Sequence, residues 1–362
     1  MKKITSMILA LVFAVSLIGT ASAKTLKIQL TFPKTSYDGQ IVKMWTDRVT
    51  QLTRGELKFE LLSKGEVVGM KETLEAVDKG LVDGGAAWTH YWSNYHPAAM
   101  LFGSPVAGGG IGLSTKSWLA WYFDNGGKEL YDRLWNEMGM NVKGFVMASS
   151  GPEALGWFKE PIKNMDDFRK YRFRTPPGIP GQTYKDIGIA SVSLSGGDIL
   201  PALEKGTIDA AEWCCPKPDS VFGFQKVLKN YYLQGLHQNV VNGDIYINGD
   251  VYNSLTDHQK YAMEIASEAM ITRNITNRAV ENGKALIDLT ENHGVKLWDT
   301  PADYFTEYMN AAQATLKKNA ADNAFFKEVY EHMTAHAKIV VPFIAQMETS
   351  DASIGTAFAK QQ

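Results

Sequence analysis

An α/β fold in two lobes, with a cleft between them and long helices at the C-terminal end, is what this sequence predicts. Three observations carry that expectation. The chain has 362 residues, more than one hydrophobic core usually covers. Short strand-like runs alternate with helical ones through its first part, the order of an α/β fold with a largely parallel sheet. A ten-residue pattern near Leu74 also returns near Leu200. Apolar residues at 45% and charged residues at 21% are ordinary for a globular protein, so disorder, collagen and coiled coil are excluded. A formal charge of −2 without a long basic run leaves no electrostatic footprint for nucleic acid.

The first residues read as an address. Lys2 and Lys3 precede an apolar run from Met7 to Ile18, and Ala21-Ser22-Ala23 offers the small residues of a cleavage site. The run is shorter than the roughly 20 residues that span a bilayer. Residues 1–23 are therefore expected to be a cleavable signal peptide, with a soluble protein starting at Lys24. Next, Leu26-Lys27-Ile28-Gln29-Leu30 alternates as a strand, and Gln40 to Leu52 carries helical apolar spacing at Ile41, Met44, Trp45, Val49 and Leu52. Leu57–Leu62 reads as a second strand. Glu72–Lys79 reads as a helix stopped by Gly80, with strand-like Leu81-Val82-Asp83 after it. From about Thr256 the texture becomes helical, over roughly 256–291, 302–320 and 323–347.

Leu74-Glu75-Ala76-Val77-Asp78-Lys79-Gly80-Leu81-Val82-Asp83 aligns with Leu200-Pro201-Ala202-Leu203-Glu204-Lys205-Gly206-Thr207-Ile208-Asp209, offset by 126 residues. Both read helix, glycine cap, short buried strand. Either this is one common connection used twice, or the chain holds two lobes of similar construction. In the second case Gly84–Trp88 and Ala210–Cys214 are the two strand ends, and ligands of such folds sit beyond them.

Gly65-Glu66-Val67-Val68, Asn94-Tyr95-His96-Pro97-Ala98, Phe102-Gly103-Ser104-Pro105-Val106, Tyr171-Arg172-Phe173-Arg174 and the stretch Leu200–Trp213 follow one another in an order with a known counterpart. The chain resembles the periplasmic solute-binding protein of a TRAP transporter, the tripartite ATP-independent importers of organic acids. Glu212-Trp213 is most similar to the 2-oxo-acid-binding branch. The resemblance implies a type II-like, Venus-flytrap periplasmic binding protein. Lobe I would take residues 24–148 with about 237–275, and lobe II residues 149–236 with about 276–322. Residues 323–362 would form a helical extension.

It also implies a site. Arg174 matches the family's carboxylate-binding arginine, a role suited to a guanidinium fork. Arg172, two residues away on the same strand face, is the rival. A metal ion beside the ligand would be held by Glu153, ahead of Gly156-Trp157-Phe158, by Glu212, by the Trp213 main chain and by Gln238. These oxygen donors suit sodium or calcium, and glutamate at 153, where the family pattern has glutamine, favours a divalent cation. Trp213, Trp92 and Tyr91 would wall the pocket. The implied partners are a small organic acid, a 2-oxo or 2-hydroxy monocarboxylate, and the membrane permease subunits.

Other motifs point elsewhere and carry less. His332 and His336 share a helix face without the glutamate of HExxH, and are expected on a solvated surface. Gly108-Gly109-Gly110-Ile111-Gly112 lacks the lysine of a phosphate loop and is expected to be a flexible loop. No GxSxG supports a nucleophile. Two function classes follow: a binding protein that delivers its acid, or a secreted metal-dependent enzyme acting on a carboxylate through Glu153 and Glu212. The absence of a general base beside a nucleophile favours the first. The helix Phe325–Met347, apolar at Val329, Met333, Ile339, Val340, Phe343 and Ile344, offers itself either to its own chain or to a homodimer partner. Cys214-Cys215 are the chain's only cysteines, either two thiols or a vicinal ring.

Overall fold

The computed structural model describes residues 23–194 and 196–360. The expected signal peptide, save Ala23, lies outside them. Two sheets organise the chain. The first holds β1 (Lys24–Leu30), β2 (Leu57–Leu62), β3 (Gly84–Trp88), β4 (Val142–Ser150) and β10 (Val241–Asn248), in the order β2-β1-β3-β10-β4. The second holds β5 (Gly156–Phe158), β6 (Arg172–Thr175), β7 (Ala190–Ser193), β8 (Ala210–Ala211), β9 (Asn230–Tyr232) and β11 (Lys296–Trp298), in the order β11-β9-β5-β8-β6-β7.

Both sheets are mixed, where a largely parallel one was expected. β1 is parallel to β2 and β3, as β6 is to β7 and β8. β10 runs antiparallel to β3 and β4, and β5 antiparallel to β8 and β9. The reason is connectivity: β5 directly follows β4, and β10 directly follows β9, so each reversed strand enters from the other lobe.

The repeated pattern folds twice in the same way. Gly80 and Gly206 both lie at positive φ, 69° and 68°, where a side chain would be strained. In each copy two amides then turn back to one helical carbonyl. Leu81 and Val82 donate to Ala76 O, and Thr207 and Ile208 donate to Ala202 O. Those residues are thus helix cap and not strand. The strands begin three residues later than expected, at Gly84 and Ala210, and the offset of 126 is kept.

Each sheet is packed by helices from its own sequence pattern. The helix Tyr37–Leu52 starts earlier than its apolar spacing because the Ser36 side chain accepts from Gly39 N. It buries Ile41, Val42, Trp45 and Val49 against Leu26, Ile28 and Ile245, each such side chain contributing about 1.5–3 kcal/mol. Beneath the second sheet Trp157, Ile199, Leu203, Phe224, Tyr231 and Leu289 form a separate core.

The helix Asp257–His293 opens with a capping box between Thr256 and Gln259 and ends at left-handed Gly294. It serves both lobes. Trp45 Nε1 donates to Ser267 Oγ (2.8 Å) and Asn274 Nδ2 to Ser149 O (2.8 Å) on the first; Lys217 N donates to Asn282 Oδ1 (3.0 Å) on the second. The helices Ala302–Asp322 and Ala324–Ala359 follow, the last running well beyond the expected end at 347. Its Val329, Met333 and Ile344 face inward, while Ile339 and Phe343 stand 73% and 66% exposed.

Two expectations are corrected here. His336 is not on a solvated face, whereas His332 is exposed as expected. Trp121 Nε1 donates to His332 Nδ1 (2.9 Å), and His336 is buried with its Nε2 3.0 Å from Ser117 O. The glycine run is no flexible loop either: Val106–Gly110 is a buried turn held by Asn239 and Gln313.

Candidate functional site

β6 and β8 lie side by side with Arg174 in register with Ala211, so the residue after β8 is brought against the Arg174 side chain. That residue is Glu212. Arg174 Nη1 donates to Glu212 Oε1 (2.5 Å) and to Glu212 O (2.9 Å); Nε and Nη2 donate to Leu194 O at 3.1 and 3.0 Å. Four hydrogen bonds leave one of the five guanidinium N–H groups free. The Trp213 ring lies 5.1 Å from the guanidinium carbon, a cation–π contact that fixes the plane, and itself packs on Phe222. Arg174 and Glu212 are 5% and 0% exposed, so this ion pair is out of water.

Two crossing segments complete the site. Glu153 N donates to Gln238 O (3.0 Å) and Ala154 N to Cys214 O (2.8 Å), tying the β4–β5 passage to the β9–β10 passage and to the end of β8. The approach needs Gly235: a Cβ there would sit 2.7 Å from Glu153 O. The result is a buried group of Glu153, Glu212 and His237 whose ligating atoms all lie within 4.8 Å of one another. His237 Nε2 is 3.3 Å from Glu212 Oε2, and its Nδ1 is 3.1 Å from Tyr184 OH, which is 3.1 Å from Tyr304 OH. Beyond that 3.3 Å approach of His237 to Glu212, the atoms Glu153 Oε2, Glu212 Oε2 and His237 Nε2 have no hydrogen-bond partner among the described residues. Buried polar atoms are rarely left so, and three converging ones fit a cation. Burial, and next the Glu212 charge, push the Glu153 carboxyl well above the usual carboxylate range. A cation bound there would favour the anionic form.

The sequence-predicted residues fall out as follows. Arg174, Glu153, Glu212 and Trp213 come together. Gln238 is buried beside them and its carbonyl accepts from Glu153, while the neighbouring His237, which the sequence reading passed over, turns its ring into the cluster. Tyr91 is close enough that the charges of Asp38, Arg174 and Glu153 act on its hydroxyl, after burial, which raises it most. Trp92 is packed in the core, edge-on to Tyr95 and Tyr246. Arg172 is exposed and held by Asp209 (2.8 and 2.9 Å) and Gly206 O. Also unforeseen is Arg278, buried on the long helix, which reaches Asp38 Oδ1 (3.0 Å) and both cysteine sulfurs. Neither His237 nor Arg278 has a sequence signal, since each is defined by segments far apart in the chain.

The chain as a whole has known relatives. Residues 30–323 match the model of the bacterial extracellular solute-binding proteins, family 7. The chain is 33% identical over 298 residues, 80% of its length and 78% of the relative's, to a monocarboxylate 2-oxoacid-binding periplasmic protein of Nostoc sp.. A TRAP transporter solute-binding protein of Bordetella bronchiseptica, solved as a dimer with copurified calcium and picolinate, superposes with a TM-score of 0.85 at 25% identity. That match covers 94% of this chain and 99% of the other. A TRAP periplasmic solute-binding protein of Colwellia psychrerythraea with bound calcium and pyruvate shares the fold, with a TM-score of 0.84 at 21% identity over 92% of this chain and 99% of the other. This chain belongs to the bacterial extracellular solute-binding proteins of family 7.

Proposed function

We propose that this protein captures a small 2-oxo or 2-hydroxy monocarboxylate beside a divalent cation, in the cleft between its lobes, and delivers it to TRAP membrane permease subunits. The observation that carries the reading is the buried Arg174–Glu212 pair next to the partnerless oxygens of Glu153 and Glu212. Arg174 keeps one N–H for an incoming carboxylate, and its bond to Glu212 yields another when a cation takes that carboxylate. Glu153, Glu212 and the ligand carry three negative charges against one guanidinium. The excess of two favours calcium over sodium. The ligands of the Nostoc, Bordetella and Colwellia proteins support the same substrate class.

Lobe boundaries at 24–148 with 237–275 and at 149–236 with 276–322 accord with sheet membership. Residues 323–362 then form the extension, whose outward Ile339, Phe343, Met347, Ile354 and Phe358 we assign to a second copy of the chain. The Bordetella dimer is a precedent. Closure of one lobe on the other needs no chemistry, only tighter ligand binding to the closed state. The periplasm, reached through the expected signal peptide, is the compartment that goes with this role.

Native mass spectrometry of protein incubated with pyruvate and calcium chloride tests the reading. A ternary complex that releases unchanged pyruvate is expected. Turnover of pyruvate, or binding indifferent to both additives, contradicts it.

A further inference from the structure

Cys214 and Cys215 stand where the lobes meet, directly after Glu212 and Trp213, with the Cys214 side chain hydrogen-bonded to that of Glu153. Their main chain is pinned: both amides donate to Asp219 Oδ1, at 3.0 and 3.2 Å, and Cys214 O accepts from Ala154. Asp219 is itself fixed by Trp157 Nε1 and Tyr231 OH, each at 2.9 Å. Pro216 follows and starts a helix, so the dipeptide has little freedom left. The two sulfurs lie 2.6 Å apart. Over them sits buried Arg278, whose Nη1 is 3.5 Å from one sulfur and 3.6 Å from the other, while its Nη2 holds Asp38 of the first lobe. A guanidinium at that place repels a cation, so the dithiol is no soft-metal site. With no third cysteine in the chain, the only internal partner for either sulfur is the other.

We propose that Cys214 and Cys215 are a redox modification site, closing reversibly to a vicinal disulfide when a small disulfide oxidant reaches the cleft. One sulfur, as thiolate, attacks a sulfur of the oxidant and expels the first thiol; the other protein sulfur then attacks the mixed disulfide and expels the second. The protein loses two protons and two electrons, and the oxidant takes them up to become two thiols. Each cysteine is buried, with 8% of its surface left exposed. Ring closure replaces two thiol acceptors of Arg278 by weaker disulfide sulfurs. The link from Asp38 through Arg278 to the second lobe is thereby loosened.

The full protein is reduced, freed of reductant, incubated with oxidised glutathione, and then denatured with iodoacetamide present for intact-mass measurement. The expected product is lighter by about 2 Da and carries no carbamidomethyl group, while the reduced control carries two. In Cys214→Ser and Cys215→Ser the lone thiol should instead retain glutathione. Two alkylated thiols in the oxidised wild type overturn the proposal. So does a persistent glutathione adduct on the wild type. No ligand enters the measurement, so its outcome is independent of whether pyruvate binds.

Discussion

The two sheets repeat one design, and the contrast between them locates the function. Five strands in the order β2-β1-β3-β10-β4 match β7-β6-β8-β5-β9, with the same parallel and antiparallel pairings; only β11 is extra. Aligning β3 with β8 by the offset of 126 places Ile28 on Phe173 and Gln29 on Arg174. Both polar side chains are buried, and both donate to a carbonyl just past the end of the neighbouring strand, Gln29 Nε2 to Ser63 O (2.8 Å) and Arg174 to Leu194 O. Glu212 falls on Ala86. The same position thus holds a neutral amide beside alanine in one lobe and a guanidinium beside glutamate in the other. The first is scaffold: its amide nitrogen donates only to backbone carbonyls, and it carries no charge. The second adds a charge pair in the same setting, with oxygens left over.

The largest effect should come from making the lobes alike. Arg174→Gln is expected to cost roughly 2–5 kcal/mol of pyruvate affinity by calorimetry. It also leaves Glu212 buried without its partner, so metal-free protein should lose about 3–5 kcal/mol of stability and recover part of it with calcium. Equal melting temperatures for wild type and variant in chelator would count against the pairing.

A smaller effect separates Glu153 from the scaffold. Its raised carboxyl favours the neutral form in the fold, so its contribution to stability is present at low pH and declines as pH rises from the ordinary carboxylate value toward the raised one. Calcium needs the anion. Uptake should therefore release protons, and affinity should increase with pH. Glu153→Gln should abolish both effects. Calorimetry in buffers of different ionisation enthalpy measures the proton directly.

Gln29→Leu is the mirror test. Losing the donor to Ser63 O should cost about 1–3 kcal/mol of stability and leave pyruvate affinity as it was. A change in affinity would mean that the first sheet is more than scaffold. Least of all is expected from Arg172→Ala. That exposed pair with Asp209 should be worth no more than about 1 kcal/mol, with no effect on binding.

Much of the scaffold was legible in the sequence, because local rules write it. The alternation Leu26–Leu30, the helical spacing through Trp45 and the paired Gly80 and Gly206 each follow from backbone geometry within a few residues. The strand starts were misplaced because Leu81, Val82, Thr207 and Ile208 look β-like yet complete a helix cap, an apolar pattern serving either use. The charged half of the site was different. Glu153, Glu212 and Arg174 stood out only through resemblance to a family. His237 did not stand out at all, since its place depends on two chain crossings that meet at Gly235 and Glu153. Trp92 misled for the opposite reason: an aromatic near a strand end packs into the core by default.

The claim that carboxylate and cation are taken up together by the second lobe is tested most directly by titrating pyruvate into the wild-type protein with calcium and again in chelator. Tight binding with calcium and a loss of at least about tenfold, or 1.4 kcal/mol, in chelator is the expected result. Equal affinity in both buffers, in protein shown by mass to be free of metal, would contradict it.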